Sequence, residues 1–232
     1  MAEILLVHGS GFGAWCWRDL IPELARRGHS ARAIDLPRTP GTTLGDQARA
    51  ICAALRAPSL LIGHSAGGFP ITAAPELDPR LIRALVWLAA YIPRDGSSVA
   101  SLRRSQSDQP LRPALRIDRD AGSYRFAPDQ LEPLFFHDCP PGTTDLSRAH
   151  MQPELIAPQE EALRLTANSQ SLPGFAVTCS EDRAIPPAFQ RQMAGHLPEV
   201  NRFTLATGHA PFFAAPALLA ALPDQIARRL EG

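Results

Sequence analysis

Residues 63–67 read Gly-His-Ser-Ala-Gly, a spacing that suits a nucleophilic serine. The segment follows the apolar run Leu60–Ile62 and precedes a helical pattern. A sharp turn from a strand into a helix lifts a serine Oγ above a sheet and places it at the positive end of the helix. The spacing therefore predicts Ser65 as a nucleophile. The alternative is a tight glycine turn that carries a solvated serine.

A serine hydroxyl becomes a good nucleophile only when a base removes its proton. His209 lies in the segment 207–211, Thr-Gly-His-Ala-Pro, just after the last strand pattern and at the carboxyl edge of a parallel sheet. His8 belongs to a glycine-rich turn, where we expect a structural hydrogen bond, and His64 is expected to pack beneath the serine turn. The histidines without a comparable position are His29, His137, His150 and His196. His209 is therefore the predicted base.

The imidazole of such a base needs a carboxylate that holds its tautomer and stabilises its charged form. Asp182 comes just after an apolar strand pattern, again at a carboxyl edge. Its place between Ser65 and His209 gives the chain order Ser, Asp, His of hydrolases that carry a G-x-S-x-G turn. The alternatives are Glu181 as the carboxylate, or a surface ion pair between Asp182 and Arg183.

Charge on an attacked carbonyl oxygen has to be stabilised by backbone N–H groups. In this layout one donor is the amide after the nucleophile, Ala66, and the other comes from the loop after the first strand, at Ser10. That loop, residues 8–13, reads His-Gly-Ser-Gly-Phe-Gly, and glycines let a backbone approach a ligand closely. We call it the glycine loop. Its alternative role is that of a simple connector.

Composition excludes several kinds of chemistry. The 232 residues carry 23 basic and 23 acidic side chains, and every basic one is Arg, which rules out lysine Schiff bases and a phosphate-binding Lys. The balanced charge predicts no nucleic-acid partner and no membrane partner. The four cysteines are widely separated, so we expect no metal, and the proposed chemistry needs no other cofactor. No secretory signal is visible, and we expect a cytoplasmic protein.

These residues are positioned by strand and helix patterns that alternate along the chain. The alternation predicts an α/β fold, with a mostly parallel sheet of about six strands flanked by helices. The predicted strands are Glu3–His8, Ser30–Leu36, Leu60–Ile62, Leu81–Tyr91, Gly174–Cys179 and Asn201–Leu205. The predicted helices are Trp17–Arg27, Thr43–Arg56, Ala66–Ala74, Pro187–His196 and Ala217–Leu230.

Residues 93–167 interrupt this alternation. A long segment without strand patterns inside a compact α/β chain suggests an inserted helical cap, or lid, within a single domain of residues 1–232. Its predicted helical stretches are Pro128–Phe136 and Gln159–Thr166.

The cap should choose the substrate, and the sequence offers apolar candidates for the pocket wall. These candidates are Tyr91, Leu131, Phe135 and Phe136, which could instead seat the cap on the body. The cap also carries arginines that either face solvent or receive an anionic substrate, namely Arg103, Arg104, Arg112 and Arg116.

With these residues assembled, the sequence resembles the α/β-hydrolase superfamily, and within it the methylesterase and hydroxynitrile lyase branch, which includes bacterial carboxylesterases. Residues 7–17, V-H-G-S-G-F-G-A-W-C-W, are similar to the branch's opening V-H-G-x-x-x-G-x-W-x-W. The stretch 134–139, with Gln152 and Pro153, is similar to its lid. The resemblance implies an α/β-hydrolase fold, a catalytic triad and an oxyanion hole. The implied residues are Ser65, Asp182 and His209 for the triad, and Ser10 and Ala66 for the hole.

Two departures bear on the reaction. Hydroxynitrile lyases carry a Thr after the first-strand His and a Lys after the catalytic His, whereas this chain has Gly9 and Ala210 there, both expected at the pocket. The departures point to hydrolysis of a small or medium carboxylic ester, of methyl or aryl type, through an acyl-enzyme. The expected partner is a small-molecule ester, and the protein a monomer or homodimer. The alternatives are a lyase or carbon–carbon-cleaving enzyme on this scaffold, or a non-catalytic ligand binder.

Overall fold

The computed structural model describes residues 1–231, and its main layer is a six-stranded parallel sheet. The strands in this range are β1 (Glu3–Val7), β2 (Ser30–Ile34), β3 (Ser59–His64), β4 (Ile82–Leu88), β5 (Leu115–Asp118), β6 (Ser123–Phe126), β7 (Glu154–Leu155), β8 (Gly174–Cys179) and β9 (Arg202–Leu205). The order of strands in the main sheet is β2-β1-β3-β4-β8-β9. The predicted α/β fold with about six mostly parallel strands is confirmed.

Helices accompany this sheet along the described chain. The α-helices are α1 (Leu20–Arg26), α2 (Leu44–Ala54), α3 (Gly68–Leu77), α4 (Val99–Ser105), α5 (Thr143–His150), α6 (Ala157–Glu160), α7 (Ala167–Gln170), α8 (Pro187–Met193), α9 (Pro211–Ala214), α10 (Pro216–Ala220) and α11 (Leu222–Glu231). Short 3-10 helices lie at Ala14–Trp17, Ser65–Gly67, Arg112–Ala114, Pro128–Gln130, Ala194–His196 and Glu199–Asn201, and a π-helix lies at Glu132–Phe136.

Both faces of the sheet are covered. Successive residues of a strand point to opposite faces. In β1, Ile4 and Leu6 therefore enter a buried cluster that also contains side chains of α1 and α11, whereas Leu5 and Val7 enter a second cluster with α2 and α3. Burial on both faces explains why β1 reads as a continuous apolar run rather than an alternating one.

Tertiary contacts changed some of the predicted helices. The helix predicted at Gln159–Thr166 was wrong, because α6 ends at Glu160 and the residues after it pair with another loop. The Leu163 amide donates to the Ser97 carbonyl at 2.8 Å, and the Leu165 amide donates to Asp95 at 2.9 Å. These long-range hydrogen bonds replace the local bonds that would continue the helix. The predicted last helix is two helices, α10 and α11.

The cap segment, residues 93–167, is only partly helical. Its strands β5, β6 and β7 form a second, antiparallel sheet, which the sequence patterns did not predict. The stretch Pro128–Phe136 is helical as expected, although it forms 3-10 and π turns. The boundaries of the cap, and its separation from the rest of a single domain, stay a prediction.

The turn that carries Ser65 depends on close backbone contact with β1. A Cβ added at Gly67 would lie 2.6 Å from the His8 carbonyl oxygen and 2.9 Å from that of Val7. Real Cβ atoms do not approach backbone oxygens so closely. A glycine here lets α3 begin directly against the end of β1.

We therefore expect Gly67→Ala to lower the free energy of unfolding by about 1–3 kcal/mol, because a methyl group would push two backbone segments apart. Urea unfolding of the purified variant measures the change. Gly195→Ala is the matched control, since a Cβ at that exposed glycine would meet no atom within 4 Å. Equal unfolding midpoints for the two variants would contradict the proposed close packing.

Candidate active site

Ser65 lies at the junction of β3 and the helical turn that leads into α3, with φ at +54°. A positive φ is costly for a residue with a side chain and is retained where the surroundings enforce it. Here the Tyr91 amide donates to the Ser65 carbonyl at 3.1 Å, and a Cβ at Gly9 would lie 2.7 Å from the Ser65 Cβ. The strained turn predicted from the sequence is therefore enforced by the glycine loop and by the chain after β4.

His209 and Asp182 form a direct pair. The His209 Nδ1–H donates to Asp182 Oδ2 at 2.7 Å, and both side chains are buried. A carboxylate can only accept, so this bond assigns the proton to Nδ1 and leaves Nε2 of the neutral ring as an acceptor. An imidazole in this state can take a proton from a hydroxyl group.

Asp182 is held by further donors from the segment that follows it. Its Oδ1 accepts from the amides of Ala184 and Ile185 at 2.7 and 2.9 Å, and its Oδ2 also accepts from Gln190 Nε2 at 2.7 Å. Glu181 is exposed, so the structure brings Asp182, not its neighbour, to the imidazole. The alternative ion pair with Arg183 is not formed within residues 1–231.

Gln190 was missed by the sequence analysis. It lies in α8, eight residues beyond Asp182, and its amide also donates to the Ile185 carbonyl at 2.8 Å and accepts from the Cys179 amide at 3.2 Å. Only the folded turn between β8 and α8 brings these groups together. No local sequence signal marks such a residue.

The loop that carries His209 is held from two sides. His64 donates from Nε2 to the His209 carbonyl at 2.8 Å, which is more specific than the predicted packing beneath the turn. Burial, with the nearby His209, keeps the pKa of His64 well below its usual range, so the ring stays neutral. From the cap segment, Asp138 Oδ2 accepts from the Gly208 amide at 2.5 Å.

The glycine loop is also hydrogen-bonded to the cap segment. Glu154 Oε2 accepts from the Gly11 amide at 3.0 Å, and the Gln152 amide donates to the Gly11 carbonyl at 2.9 Å. Arg38 lies 3.3 Å from the same Glu154 oxygen and donates to the Phe12 carbonyl. Burial raises the pKa of the Glu154 carboxyl and Arg38 opposes that rise. One buried ion pair thus joins the cap to the loop that carries Ser10.

His8 has the structural hydrogen bonds expected for the glycine loop. Its Nδ1–H donates to the Gly9 carbonyl at 2.9 Å, and its Nε2 accepts from the Leu36 amide at 3.0 Å. Complete burial, reinforced by Arg38, lowers the pKa of His8 to about 4. The neutral ring satisfies both contacts, whereas a second ring proton would break the bond from Leu36.

Candidate residues from distant parts of the chain surround one narrow cavity with an empty volume of about 330 Å³. Its wall contains the following predicted site residues: Ser10, Ser65, Tyr91, Phe135 and His209. Ala66 and Gly9 face a smaller neighbouring cavity, which Ser10 also borders. A larger cavity, of about 1450 Å³, lies between Trp87 and the segment 169–174 and is lined by none of the predicted site residues.

Four predicted pocket residues do not line the cavity beside Ser65, and Gly9, which faces the neighbouring cavity, is the first of them. Leu131 borders a separate cavity of the cap segment. Phe136 packs against Phe12 with ring centres 6.0 Å apart, and Ala210 is completely buried in the same core cluster. An apolar pattern shows that a side chain is buried, but it does not show which surface buries it.

Neither a metal-binding cluster nor a membrane-spanning helix is present in the part of the chain that the structure describes. Among the side chains of residues 1–230, no group of three or more His, Cys, Asp or Glu is placed to hold a metal ion. None of the helices in this range combines the length and the apolar character that a membrane span requires.

The chain is similar to a known protein family and to several known proteins. A model of the alpha/beta hydrolase family matches residues 4–222. The chain is 30% identical over 249 aligned positions to an Arabidopsis thaliana protein named "Putative methylesterase 11, chloroplastic". The match covers 97% of this chain but only 64% of that protein. It is 24% identical to methyl jasmonate esterase 1 of Vitis vinifera, and this match covers 97% of this chain and 96% of that protein. A pyrethroid hydrolase structure from Sphingobium faniae shares the fold, with a TM-score of 0.85 and 22% sequence identity. The superposition covers 98% of this chain and 97% of that one.

The His8 contacts predict how stability depends on pH. Because the folded pKa lies near 4 and the unfolded value near 6.5, the unfolded chain gains a proton first as pH falls. The free energy of unfolding should therefore decrease between about pH 6.5 and pH 4, by on the order of 3 kcal/mol from His8 alone. Urea unfolding across this range measures it.

His8→Gln is the comparison variant, since an amide keeps a donor and an acceptor but does not titrate. Other groups contribute equally to both proteins, so the difference between their unfolding free energies isolates His8. That difference should shift in favour of the variant towards pH 4. Parallel stability curves would show that His8 is not the titrating group.

Proposed function

We propose that this chain, which belongs to the alpha/beta hydrolase family, hydrolyses carboxylic esters of small or medium size through a serine acyl-enzyme. The observation that carries the proposal is the buried pair of His209 and Asp182 on the cavity that Ser65 lines. The names of the relatives, a methylesterase series and a methyl jasmonate esterase, support an ester as substrate. The activity of the whole protein, its substrate and its partners belong to this proposal.

The first half of the reaction forms the acyl-enzyme. Ser65 Oγ attacks the ester carbonyl carbon while His209 Nε2 takes the hydroxyl proton, and the carbonyl π electrons move onto oxygen. The tetrahedral intermediate then collapses and breaks the bond to the alkoxy group. His209 returns its proton to that leaving oxygen, so an alcohol departs and the acyl group stays on Ser65.

The second half returns the enzyme to its starting state. A water molecule replaces the alcohol, and His209 takes one of its protons as the water oxygen attacks the acyl carbon. Collapse of this intermediate releases a carboxylic acid and restores the Ser65 hydroxyl with the proton from His209. Asp182 stays ionised throughout and stabilises the imidazolium that forms twice per cycle.

The negative oxygen of both intermediates needs N–H donors that are in place before the reaction. We assign this role to the backbone amides of Ser10 and Ala66. The positions of these two residues support the assignment. Ser10 borders the same cavity as Ser65, and Ala66 follows Ser65 in the same helical turn. One such donor contributes about 3–4 kcal/mol to transition-state stabilisation. The contacts of Glu154 and Gln152 to Gly11 would hold the Ser10 amide in position.

The cavity favours a compact substrate. The cavity is narrow, and the empty volume of about 330 Å³ between its walls includes space that is open to solvent. Phe12, Phe126 and Phe135 contribute aromatic surface, which favours apolar or aromatic groups beside the ester. Long lipids and peptides are poor candidates for such an enclosed space.

A lyase on the same scaffold is the main alternative reaction. Cleavage of a cyanohydrin needs a positive group for the departing cyanide, and the position after His209 holds the buried residue Ala210. A non-catalytic ligand binder is the other alternative. Neither the hydrogen bonds around Asp182 nor the strained turn at Ser65 is needed by a protein that only binds.

Ser65→Ala should reduce turnover of p-nitrophenyl acetate by on the order of 10⁶, because the variant lacks the hydroxyl group that attacks the ester carbonyl. Initial rates measure this loss. A fluorophosphonate should label the parent protein and not the variant, since only an activated serine reacts. Equal rates with equal thermal stability would end the proposed mechanism, and an unlabelled parent would favour the non-catalytic binder.

The parent protein should hydrolyse aryl and methyl esters but release no cyanide from mandelonitrile above the buffer blank. The reason is the absence of a cation at position 210, next to the base. Parallel assays of acid formation and cyanide release make the comparison. Cyanide release that exceeds ester hydrolysis would favour the lyase.

A further inference from the structure

Arg103 places an unpaired guanidinium in the wall of the catalytic cavity. It lies in α4, is half-buried, and borders the same space as Ser65 and His209. Among the side chains of residues 1–230, no carboxylate oxygen lies within 4.0 Å of its guanidinium nitrogens. The adjacent Arg104 differs, because its two guanidinium nitrogens donate to Glu160 at 2.8 and 3.0 Å on the exposed side.

We propose that Arg103 binds a carboxylate carried by the substrate, so that the preferred substrate is a half-ester: a molecule with one ester group and one free carboxylate. The proposal rests on the proposed esterase function of the same cavity. It turns a general preference for compact esters into a specific requirement for charge.

The position of Arg103 is fixed by an aromatic neighbour. Its guanidinium carbon lies 5.9 Å from the centre of the Tyr124 ring, within the range of a cation–π contact. Tyr124 is buried and borders the cavity as well. The contact keeps the cation beside the cavity without neutralising its charge.

Gln159 provides a second, independent indication of a polar ligand. It is 6% exposed, borders the same cavity, and its Oε1 atom is buried without a hydrogen-bond partner. A buried polar atom without a partner is unfavourable, so such atoms commonly mark a place where a ligand or water binds. The terminal amide can turn by 180°, which exchanges its oxygen and nitrogen and offers an N–H group to an anion.

The neighbouring acidic groups form their ion pairs with other arginines. Glu160 is engaged by Arg104, and Glu154 is engaged by Arg38 and the Gly11 amide. The hydrogen bond from Arg104 contributes most to the lowered pKa of the Glu160 carboxyl, and the charge of Arg103 contributes least. The remaining wall is largely apolar, and charge pairs are stronger in such surroundings than in water. A substrate anion would therefore find one free cation in a sheltered place.

The chemistry of the anion follows from the number of donors. A guanidinium presents parallel N–H groups that match the two oxygens of a carboxylate. One cation and one amide suit a single negative charge, whereas a doubly charged phosphate would require further cations. A carboxylate is accordingly the favoured group.

The test compares monomethyl and dimethyl esters of succinic, glutaric and adipic acid, which differ in charge but share a reacting group. We expect the parent protein to favour at least one monomethyl ester by ten-fold or more in kcat/KM, mainly through KM. Arg103→Met should reduce that preference by about ten- to a hundred-fold, the usual effect of a charged hydrogen bond.

Arg104→Met is the matched control, because it removes a neighbouring cation that is already paired outside the cavity. It should leave the preference unchanged, and Arg103→Lys should retain part of it. Parent protein that favours the dimethyl ester for all three acids would overturn the proposal. So would an Arg103→Met protein that keeps the preference of the parent.

A binding measurement separates this proposal from the esterase function. Calorimetric titration with glutarate, the free diacid, needs no turnover and can be made on Ser65→Ala protein. Binding that Arg103→Met abolishes would support the anion site even if no ester were hydrolysed. Equal glutarate affinity in proteins with and without Arg103, or no glutarate binding at all, would overturn the anion site. The proposed esterase function would still stand if the parent protein hydrolysed p-nitrophenyl acetate.

Discussion

The hydrogen bond between Asp182 and His209 is the interaction on which the rest of the site depends. Both side chains are buried, so water does not compete for the hydrogen bond between them. A carboxylate in such a place is tolerated only when donors surround it. Asp182 has two backbone amides and the Gln190 side chain besides the imidazole. This arrangement fixes the orientation of the His209 ring and leaves Nε2 as the atom that can accept a proton. The proposed role of Ser65 as a nucleophile depends on that acceptor.

Local patterns allowed much of this architecture to be predicted. A strand buried on both faces reads as an unbroken apolar run, as in β1, and such runs separated by helices predicted the parallel sheet. Ser65 could be placed because small residues between a strand and a helix require a strained turn, which its φ of +54° shows. His209 and Asp182 followed from their places after strands, since the carboxyl ends of parallel strands meet at one edge.

The parts that were missed depend on partners far away in the chain. Gln190, Glu154 and Asp138 acquire their roles only when folding brings a turn, a loop or the cap beside them. The helix expected at Gln159–Thr166 gave way to hydrogen bonds with another loop. Arg103 and Arg104 are adjacent in sequence, yet one faces the cavity and the other a surface carboxylate. Composition cannot distinguish such neighbours, because the direction of a side chain is set by packing.

The cap segment holds both loops that carry the proposed chemistry, through Gly11 on one side and Gly208 on the other. These two attachments make the segment part of the support of both loops. Grafting a relative's cap onto this body would sever these attachments unless the graft brought its own acceptors for the two glycine amides.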